Sequence, residues 1–270
     1  VVERARREGM RLEVAHEEEP LGTAGALKNA EALVGDEAFF AFNGDILTTV
    51  DLEALVRFHR DNDAEATIML TPVEDPSAFG VVPTDESGRV EGFIEKPPRD
   101  EAPTNMINAG VYVFEPSVLR RIPPGRSWSA ERDLFPGLVA EGARMFAWST
   151  DAYWLDIGTP QSYLRANLDA LSGRYVSEAI GVSPTRGILL GDGARVAADA
   201  RVSSSCLGEH SVVESNATVE DSVLLPGAVV GAGANVQGSI LGEGATVRAS
   251  VQLRDRTLAD GEVVQGEVSL

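Results

Sequence analysis

A repeat of 17 residues in the last third of the sequence constrains the fold more than any other feature. Three columns of aliphatic residues keep this interval over at least four repeats, with spacings of 6, 6 and 5 residues inside each repeat. The columns are Leu190, Leu207, Leu224, Leu241 and Leu258; Val196, Val213, Val230, Val247 and Val264; and Val202, Val219, Val236 and Leu253. An α-helix would require a period near 3.6, so the pattern predicts a β-solenoid with three short strands in each coil.

Glycine and other small residues separate the aliphatic positions and indicate the turns between strands. Ala194, Ser211, Ala228 and Ala245 stand two places before valines of the second column. Stacking buries the aliphatic residues of each coil against their equivalents in the next coil. Such a stack still has open ends and flat aliphatic faces, so we expect a homo-oligomer assembled through the solenoid.

Residues 1–172 follow a different pattern, in which short apolar segments alternate with helical ones. The apolar segments, which we predict to be strands, are residues 11–15, 38–42, 66–71, 89–95 and 110–114. The helical segments are residues 51–62, 130–141 and 161–171. The alternation predicts an α/β fold with a mostly parallel sheet covered by helices, in which ligands bind beyond the carboxyl ends of strands. A linker at residues 173–187 and the solenoid at residues 188–270 complete the predicted domains.

The charge of the chain excludes two classes of partner. With 23 basic and 42 acidic residues, the net charge is −19, which repels nucleic acid and anionic membranes. The same charge would repel a nucleotide, so a phosphate site requires compensation from a divalent metal, a lysine or a helix N-terminus. Cys206 is the single cysteine, so no internal disulfide can form, in agreement with a cytoplasmic location. We find neither a signal-peptide pattern nor an apolar run near the ~20 residues of a membrane span.

Two aspartates near the ends of apolar segments are candidate metal ligands. Asp45 ends the sequence Asn43-Gly44-Asp45, which by itself is ordinary turn chemistry. Asp156 precedes the third predicted helix, where a cap or loop residue is the simpler interpretation. As a pair from two strand ends, however, the carboxylates could share one Mg²⁺ and leave positions open for phosphate oxygens. The hypothesis is therefore the pair, and neither aspartate supports it alone.

Two further segments carry candidate ligand-binding groups. Lys96 ends a predicted strand before Pro97, and its ammonium group is suited to a phosphate, although a solvated edge lysine would look the same. Residues 17–27 form a glycine-containing loop that opens a helix. Gly22 in that loop would let the backbone approach a flat ligand closely, whereas Thr23 would otherwise be a simple helix cap.

Seven short motifs occur in a fixed order across residues 19–160. They are E-P-L-G-T-A-G-A-L (19–27), F-N-G-D (42–45), F-G-V-V (79–82), F-I-E-K-P (93–97), N-A-G-V-Y (108–112), E-R-D-L-F-P (131–136) and W-x-D-I-G-T-P (154–160). Each motif is weak alone, but the ordered set followed by hexapeptide repeats resembles the sugar-1-phosphate nucleotidyltransferases. Within that family the resemblance is greatest to the mannose-1-phosphate guanylyltransferases, also called GDP-mannose pyrophosphorylases.

The resemblance implies a Rossmann-like catalytic domain followed by a left-handed β-helix. It also implies transfer of a nucleotidyl group from a nucleoside triphosphate, GTP, to mannose 1-phosphate. Asp45 and Asp156 would hold Mg²⁺, and Lys96 would contact the sugar phosphate. The residues implied to contact the sugar are Gly80, Glu95, Asn108 and Glu131, and those along the base are Gly22 and Thr23. No protein nucleophile is required, because the attacking phosphate is already anionic and catalysis rests on alignment and charge neutralisation.

The sequence departs from the family pattern at its start. The family opens with a strand and a Gly-rich loop containing Arg and Lys, which hold the triphosphate, and nothing similar precedes the first motif here. We therefore expect this chain to lack part of the catalytic domain and to be inactive on its own. A non-catalytic regulatory subunit of the family is an alternative, and so is a pyrophosphorylase that pairs glucose 1-phosphate with dTTP, UTP or ATP.

The three histidines do not have the spacing of metal ligands. We expect His59 to pack on a helix face and His16 and His210 to lie at the surface. A hexapeptide acyltransferase, the third class of function compatible with the repeats, would require His210 as its active histidine. Because His210 occupies the turn position held by Gly193 and Gly227 in other coils, a surface turn is the favoured interpretation.

Overall fold

The chain folds into two compact units in the computed structural model, which describes Gly9, residues 11–176 and residues 187–266. The first unit contains the described parts of Val1–Ile46 and Val50–Ala152, and the second contains Leu47–Thr49 and the described parts of Tyr153–Leu270. Most of the predicted linker lies outside the described residues. Within the described ranges, every helix is too short or too polar to cross a lipid bilayer.

Eight strands precede the solenoid in the part of the chain that the structure describes. They are β1 (Phe39–Phe42), β2 (Ile46–Thr48), β3 (Ala66–Pro72), β4 (Gly80–Val81), β5 (Ile94–Glu95), β6 (Met106–Phe114), β7 (Met145–Ser149) and β8 (Trp154–Asp156). The first unit is built on a six-stranded sheet of order β5-β4-β6-β3-β7, in which β1 also pairs with β6. The strands β2 and β8 form a separate two-stranded sheet.

The six-stranded sheet is mixed in direction. β6 runs antiparallel to β1, β3 and β4, β5 runs antiparallel to β4, and only β7 pairs in parallel, with β3. Four of the six strands therefore point the same way, as the predicted mostly parallel sheet requires, although β6, inserted among them, makes most neighbouring pairs antiparallel. Parallel neighbours need a crossover of a dozen or more residues, usually helical. The only helix among the described residues between β3 and β6 is the three-residue 3₁₀ helix Pro76–Ala78, which is too short for a crossover, so these strands pair antiparallel.

Four α-helices accompany these strands in the described ranges. They are α1 (Gly22–Asn29), α2 (Leu52–Asp61), α3 (Phe135–Ala140) and α4 (Pro160–Ser172), with 3₁₀ segments at Glu31–Leu33 and Pro116–Arg121 and a π-helical turn at Ala130–Leu134. Asp51 caps α2 as expected, since its carboxylate accepts the Ala54 N–H at 2.9 Å. Pro160 begins α4, and the Thr159 hydroxyl caps it by accepting the Ser162 N–H at 3.1 Å.

Three of the predicted segments differ from the structure. Residues 11–15 form no strand, and Leu12 and Val14 are exposed. The strand expected over residues 89–95 is reduced to Ile94–Glu95, preceded by an isolated bridge at Val90. The helix expected over residues 130–141 starts with a π-helical turn and becomes α-helical only at Phe135. An apolar pattern predicts burial, but it does not supply a neighbouring strand for an edge segment to pair with.

A chain of aromatic rings forms the centre of the first unit. The Tyr112 ring on β6 lies 5.5 Å from Phe114 and 5.4 Å from Phe135, measured between ring centroids. Phe93 lies 5.3 Å from Phe135, and Phe39 on β1 lies 5.9 Å from Phe114. Offset and tilted ring pairs at these separations stabilise beyond the area that they bury. The cluster joins the sheet to helix α3 and to the segment before β5.

The solenoid is confirmed by the structure. Its strands are β9 (Ile188–Leu190), β10 (Arg195–Val196), β11 (Arg201–Ser203), β12 (Ser205–Leu207), β13 (Val212–Val213), β14 (Thr218–Glu220), β15 (Val223–Leu224), β16 (Val229–Val230), β17 (Asn235–Gln237), β18 (Ile240–Leu241), β19 (Thr246–Val247), β20 (Gln252–Arg254), β21 (Thr257–Leu258) and β22 (Val263–Val264). They form three parallel sheets in a register of 17 residues, such as Val213 beside Val230. The predicted α/β domain followed by a β-helix is thereby borne out.

Left-handed backbone residues form the corners of each coil. One corner is held by Gly193, His210, Gly227, Gly244 and Gly261, all with positive φ. His210, with φ of 57°, is an exposed member of this column, as expected of a surface turn. At a second corner, a single residue with positive φ, such as Asp221, is followed in the sequence by a buried serine. The Ser222 hydroxyl accepts the Ser239 N–H of the next coil at 3.1 Å, so these serines bond one coil to another.

Helix α4 covers an apolar outer face of the solenoid. Cys206, Val223 and Ile240 point outward from one sheet and form a buried cluster with Tyr163 and Leu164 of the helix. Burial raises the pKa of the Cys206 thiol to about 11. The aliphatic face that we expected a second subunit to cover is thus partly covered within the chain, so the oligomer stays a prediction that needs a different surface.

We expect Ser211→Ala to stabilise the solenoid. The Ser211 hydroxyl is the one buried side-chain polar atom without a hydrogen-bond partner among the described residues, and the column holds alanine at positions 228 and 245. Removing an unpaired buried hydroxyl should raise the free energy of unfolding by about 1 kcal/mol. Ser222→Ala is the matched control and should lower the free energy of unfolding, because the Ser222 hydroxyl donates to the Glu220 carbonyl and accepts the Ser239 N–H of the next coil. Urea denaturation followed by circular dichroism measures both, and destabilisation by Ser211→Ala would contradict this account.

We expect the free energy of unfolding of the first unit to decrease as the pH decreases, because of His59. Its imidazole is buried on α2, with Nδ1 2.8 Å from the Thr67 hydroxyl. Burial lowers the pKa of His59, only partly offset by the Glu115 carboxylate, and the Arg60 charge lowers it further. The unfolded chain therefore binds a proton first, so stability is complete above about pH 6.5 and is lost as pH falls toward the folded-state pKa. Urea denaturation between about pH 5 and 7.5 should show this slope, and His59→Gln should flatten it.

Candidate active site

Two strands pair with the same edge of β6, and the candidate site lies in the gap between them. Along this edge β1 pairs with residues 111–114 of β6, and β4 pairs with Ile107. The opposite edge is occupied by β3 along its length. Asn108 and Gly110 therefore lie at the interruption between β1 and β4. An interrupted sheet edge leaves backbone and side-chain polar groups available to a ligand.

Gly110 joins two of the sequence motifs at this interruption. Its carbonyl accepts the Asn43 N–H at 2.8 Å, and its φ is 71°. A Cβ atom at Gly110 would lie 2.8 Å from Asn43 Nδ2, so a larger residue would displace the turn that leads to Asp45. The glycine of N-A-G-V-Y thus makes room for the asparagine of F-N-G-D.

The Asn108 side-chain amide is held from both sides. Its Oδ1 accepts the Gly110 N–H at 3.1 Å, and its Nδ2 donates to the Tyr112 hydroxyl at 2.8 Å. Burial raises the pKa of Tyr112 strongly; the Asn108 hydrogen bond lowers it somewhat, and the charges of Glu131 and Glu95 raise it further.

Gly80 and Glu95 face each other across β4 and β5. A Cβ atom at Gly80 would overlap the Phe93 ring and lie 3.2 Å from Glu95 Oε2. The missing side chain thus allows Phe93 to pack on Phe135 while the Glu95 carboxylate stays next to the strand. Glu95 is half-buried, which places one carboxylate on the wall of the site.

Lys96 adopts a left-handed conformation, with φ of 50°. Its N–H donates to the Phe79 carbonyl at 3.0 Å, its Nζ lies 4.0 Å from Glu95 Oε1, and its side chain is exposed. A β-carbon is strained in this region, and the following Pro97 restricts the residue further. Backbone strain is often found at ligand-binding residues, so the strained Lys96 next to Glu95 agrees with a role in ligand binding.

Thr23 and Glu131 are directly bonded. The Thr23 hydroxyl donates to Glu131 Oε2 at 3.0 Å and accepts the Ala130 N–H at 2.7 Å. The Ser129 hydroxyl donates to the same Oε2 atom at 2.8 Å. Nearby, the Trp128 carbonyl lies 2.9 Å from the position of a Cβ at Gly22, so the start of α1 and the segment before the π-helical turn are in close contact.

The two candidate metal ligands belong to different units. Asp45 is exposed in the turn after β1, within the first unit. Asp156 ends β8 in the second unit, and its Oδ1 accepts the Gly158 N–H at 2.7 Å, which leaves Oδ2 available. No group of three or more His, Cys, Asp or Glu side chains suited to a metal occurs in the described residues. That Asp45 and Asp156 share one Mg²⁺ stays a prediction.

Within the set of nine candidate residues, direct contacts join Thr23 with Glu131, and Glu95 with both Gly80 and Lys96. Sequence reasoning assigned no role to Tyr112, Ser129 or Asn43, which hold members of this set in place. Tyr112 and Asn43 stand inside quoted motifs, so their motif membership was a usable signal. Ser129 precedes a predicted helix, and its hydroxyl does accept the Arg132 N–H as a cap.

Comparison with known proteins gives these residues a family. A nucleotidyl transferase model matches residues 2–173, which is more than half of the chain. The chain belongs to the nucleotidyl transferase family. A second model, the GlmU-like C-terminal hexapeptide region, matches residues 186–264 and agrees with the left-handed hexapeptide β-helix.

Curated relatives carry the name of one activity. A mannose-1-phosphate guanylyltransferase of Mycobacterium tuberculosis is 39% identical over 217 residues, covering 74% of this chain and 60% of that protein. Mannose-1-phosphate guanyltransferase beta-B of Xenopus laevis is 43% identical over 165 residues, covering 60% of this chain and 45% of that protein. This chain thus spans about half of the length of these relatives.

A solved structure shares the fold of the first part. HddC from Yersinia pseudotuberculosis, also crystallised in complex with GMP-PN, matches with a TM-score of 0.52 and 27% identity. The match covers 61% of this chain and 71% of that one. About three fifths of this chain is therefore similar in both sequence and fold to a protein that was crystallised with GMP-PN.

We expect Lys96→Gly to unfold less readily than Lys96→Ala. Glycine adopts the positive φ of this position freely, whereas alanine keeps the strain of a β-carbon in it. The difference in unfolding free energy should be about 1 kcal/mol in favour of glycine. Both variants lack the ammonium group, so they form a matched pair, and urea denaturation measures the difference. Equal stabilities would show that the left-handed conformation of Lys96 carries no strain.

Proposed function

We propose that the protein containing this chain transfers a nucleotidyl group from a nucleoside triphosphate to a sugar 1-phosphate, with GTP and mannose 1-phosphate as substrates and GDP-mannose as product. The observation that carries the proposal is a group of polar side chains held in fixed orientations: Asn108 is held by Gly110 and Tyr112, and Glu131 is held by Thr23 and Ser129. It occurs in a member of the nucleotidyl transferase family whose relatives bear the name of this activity. The whole protein's activity is the subject of the proposal, since the chain spans 60% of the first relative.

The sugar side of the site is rich in hydrogen-bond acceptors with fixed positions. A hexose presents hydroxyl donors, and carboxylates such as Glu95 and Glu131 are strong acceptors for them. The Asn108 amide uses one N–H for Tyr112 and has a second N–H for a sugar oxygen. Because these groups are held by neighbours before a ligand binds, little entropy is lost on binding. Gly80 keeps this wall free of a side chain.

The phosphate side requires positive charge, which a chain of net charge −19 must concentrate locally. Lys96 supplies one exposed cation next to Glu95. The proposal assigns Mg²⁺ to Asp45 and Asp156, whose carboxylates are hard oxygen donors of the type that this ion prefers. Bound Mg²⁺ would neutralise charge on the reacting phosphates.

The reaction then follows from alignment. An oxygen of the sugar phosphate attacks the α-phosphorus of the nucleotide, the bond from that phosphorus to the β-phosphate oxygen breaks, and pyrophosphate leaves with the electron pair. Lys96 holds the sugar phosphate, and the acceptors on the sugar wall orient it for in-line attack. The segment of Gly22 and Thr23 lies on the nucleotide side, where the relative crystallised with GMP-PN supports a guanine nucleotide.

Assembly and location complete the proposal. A homo-oligomer formed through the β-helix and a location in the cytoplasm fit a protein whose single cysteine is a buried thiol. Since α4 covers one sheet of the solenoid, the proposed contact uses another surface of the β-helix.

The proposal predicts that Asp156→Asn abolishes turnover and leaves folding intact. The substitution removes a charge assigned to the metal while keeping the size of the side chain, so turnover should fall by about a hundredfold or more while the unfolding midpoint changes little. Asp151→Asn, an exposed aspartate five residues away, is the matched control. The assay is pyrophosphate release by the full-length protein and by the 270-residue chain, with each nucleoside triphosphate paired with each sugar phosphate.

The outcomes separate the alternatives. Turnover with glucose 1-phosphate and dTTP, UTP or ATP would retain the enzyme class and replace the substrates. A full-length protein that binds nucleotide but turns over no pair would support a regulatory subunit instead. Equal losses in Asp156→Asn and Asp151→Asn would remove Asp156 from the metal site.

A further inference from the structure

We infer that the Thr23 hydroxyl positions the Glu131 carboxylate and thereby couples the nucleotide side of the site to the sugar side. The inference rests on the proposed function, which places Thr23 next to the base and Glu131 on the sugar. It changes the role of Thr23, because a residue expected to line the base becomes a positioning residue for the other substrate.

The hydrogen bonds of Thr23 leave it little capacity to read a base. A threonine hydroxyl has a single proton. Here that proton is donated to Glu131 Oε2 at 3.0 Å, while the oxygen accepts the Ala130 N–H at 2.7 Å. Thr23 therefore has no donor left for a nucleobase, and its side chain is bound at both ends to the π-helical turn.

The Glu131 carboxylate is oriented by hydroxyl groups on one side only. Thr23 and Ser129 both donate to Oε2, at 3.0 and 2.8 Å. Oε1 has no hydrogen-bond partner among the described residues. The two donors thus fix one oxygen and leave the other to accept a hydroxyl of the sugar. Hydrogen bonds to a charged acceptor are stronger than neutral ones, so the loss of one donor should measurably loosen the carboxylate.

The backbone makes this contact rigid. The N–H groups of Ala24 and Gly25 both donate to the Trp128 carbonyl at 3.0 Å, and the Trp128 N–H donates to the Leu21 carbonyl at 2.8 Å. A Cβ atom at Gly22 or Gly25 would lie 2.9 Å from backbone oxygens of this segment, so both glycines permit the close approach. A movement of the first turn of α1 is therefore transmitted to Ser129 and Glu131, which gives nucleotide binding a physical route to the sugar side.

The first test measures the hydrogen bond itself in the 270-residue chain. Thr23→Val preserves the shape of the side chain and removes the hydroxyl, whereas Thr23→Ser retains the hydroxyl. Amide hydrogen exchange of Ala130 should accelerate about tenfold in Thr23→Val and stay near the wild-type rate in Thr23→Ser. The Val113 amide in the centre of the sheet reports whether the unit has stayed folded. Unchanged Ala130 exchange in a folded Thr23→Val variant would overturn the inference.

The second test measures substrate coupling in the full-length protein. Thr23→Val should raise the KM for mannose 1-phosphate about tenfold with little change in the KM for GTP, and Thr23→Ser should return it toward the wild-type value. Ser129→Ala removes the second donor to Oε2 and should shift the same parameter in the same direction. If Thr23 reads the base instead, the KM for GTP will rise and that for the sugar phosphate will not, which contradicts the inference.

Failure of the proposed function has a different signature. In that case wild-type protein turns over no pair of nucleotide and sugar phosphate. The hydrogen bond from the Ala130 N–H to the Thr23 hydroxyl would still be seen in the exchange of Ala130, but the coupling of two substrates would be refuted together with the reaction. Turnover by wild type with no shift of either KM in Thr23→Val refutes the coupling alone.

Discussion

The burial of Tyr112 at the centre of β6 is the constraint on which the candidate site depends. Its ring packs between Phe114 and Phe135, so it ties the sheet to the helix that follows the π-helical turn. A buried phenol needs a hydrogen-bond partner, and Asn108 supplies the donor. The side chain that is expected to contact a sugar is thereby fixed by the same residue that holds the core together. Core packing and site geometry cannot be changed independently here.

The solenoid could be predicted almost completely, and the α/β unit only in outline. A 17-residue period repeats the same physical solution in each coil, so register follows from arithmetic once Val213 and Val230 are equivalent. The sheet has no such period. The pattern of β6 predicts a strand, but whether it lies parallel or antiparallel to β3 depends on the connection, and no helix long enough for a crossover lies between them.

Sequence motifs identify the candidate residues, but they do not predict the hydrogen bonds between them. Thr23 and Glu131 are 108 residues apart, so no local sequence pattern predicts that they share a hydrogen bond. The π-helical turn is a second feature that the sequence does not predict, because the pattern of residues 130–141 indicates an ordinary α-helix. The structure instead widens the first turn, where the Asp133 and Leu134 N–H groups both reach the Ser129 carbonyl. Such turns occur often at functional sites because they redirect one side chain within a helix.

The proposed function explains how acidic residues can belong to a site for phosphates. In it, Glu95 and Glu131 accept hydroxyl groups of the sugar, whereas their negative charge would be costly next to a phosphate without compensation. Lys96 stands beside Glu95 and, despite a strained backbone, directs its ammonium group outward. Alternation of carboxylate and ammonium along one short segment lets neighbouring residues serve opposite ends of the same molecule. A sugar 1-phosphate, with hydroxyls on its ring and two negative charges at one carbon, is the kind of ligand that such a segment distinguishes from a free sugar or a free phosphate.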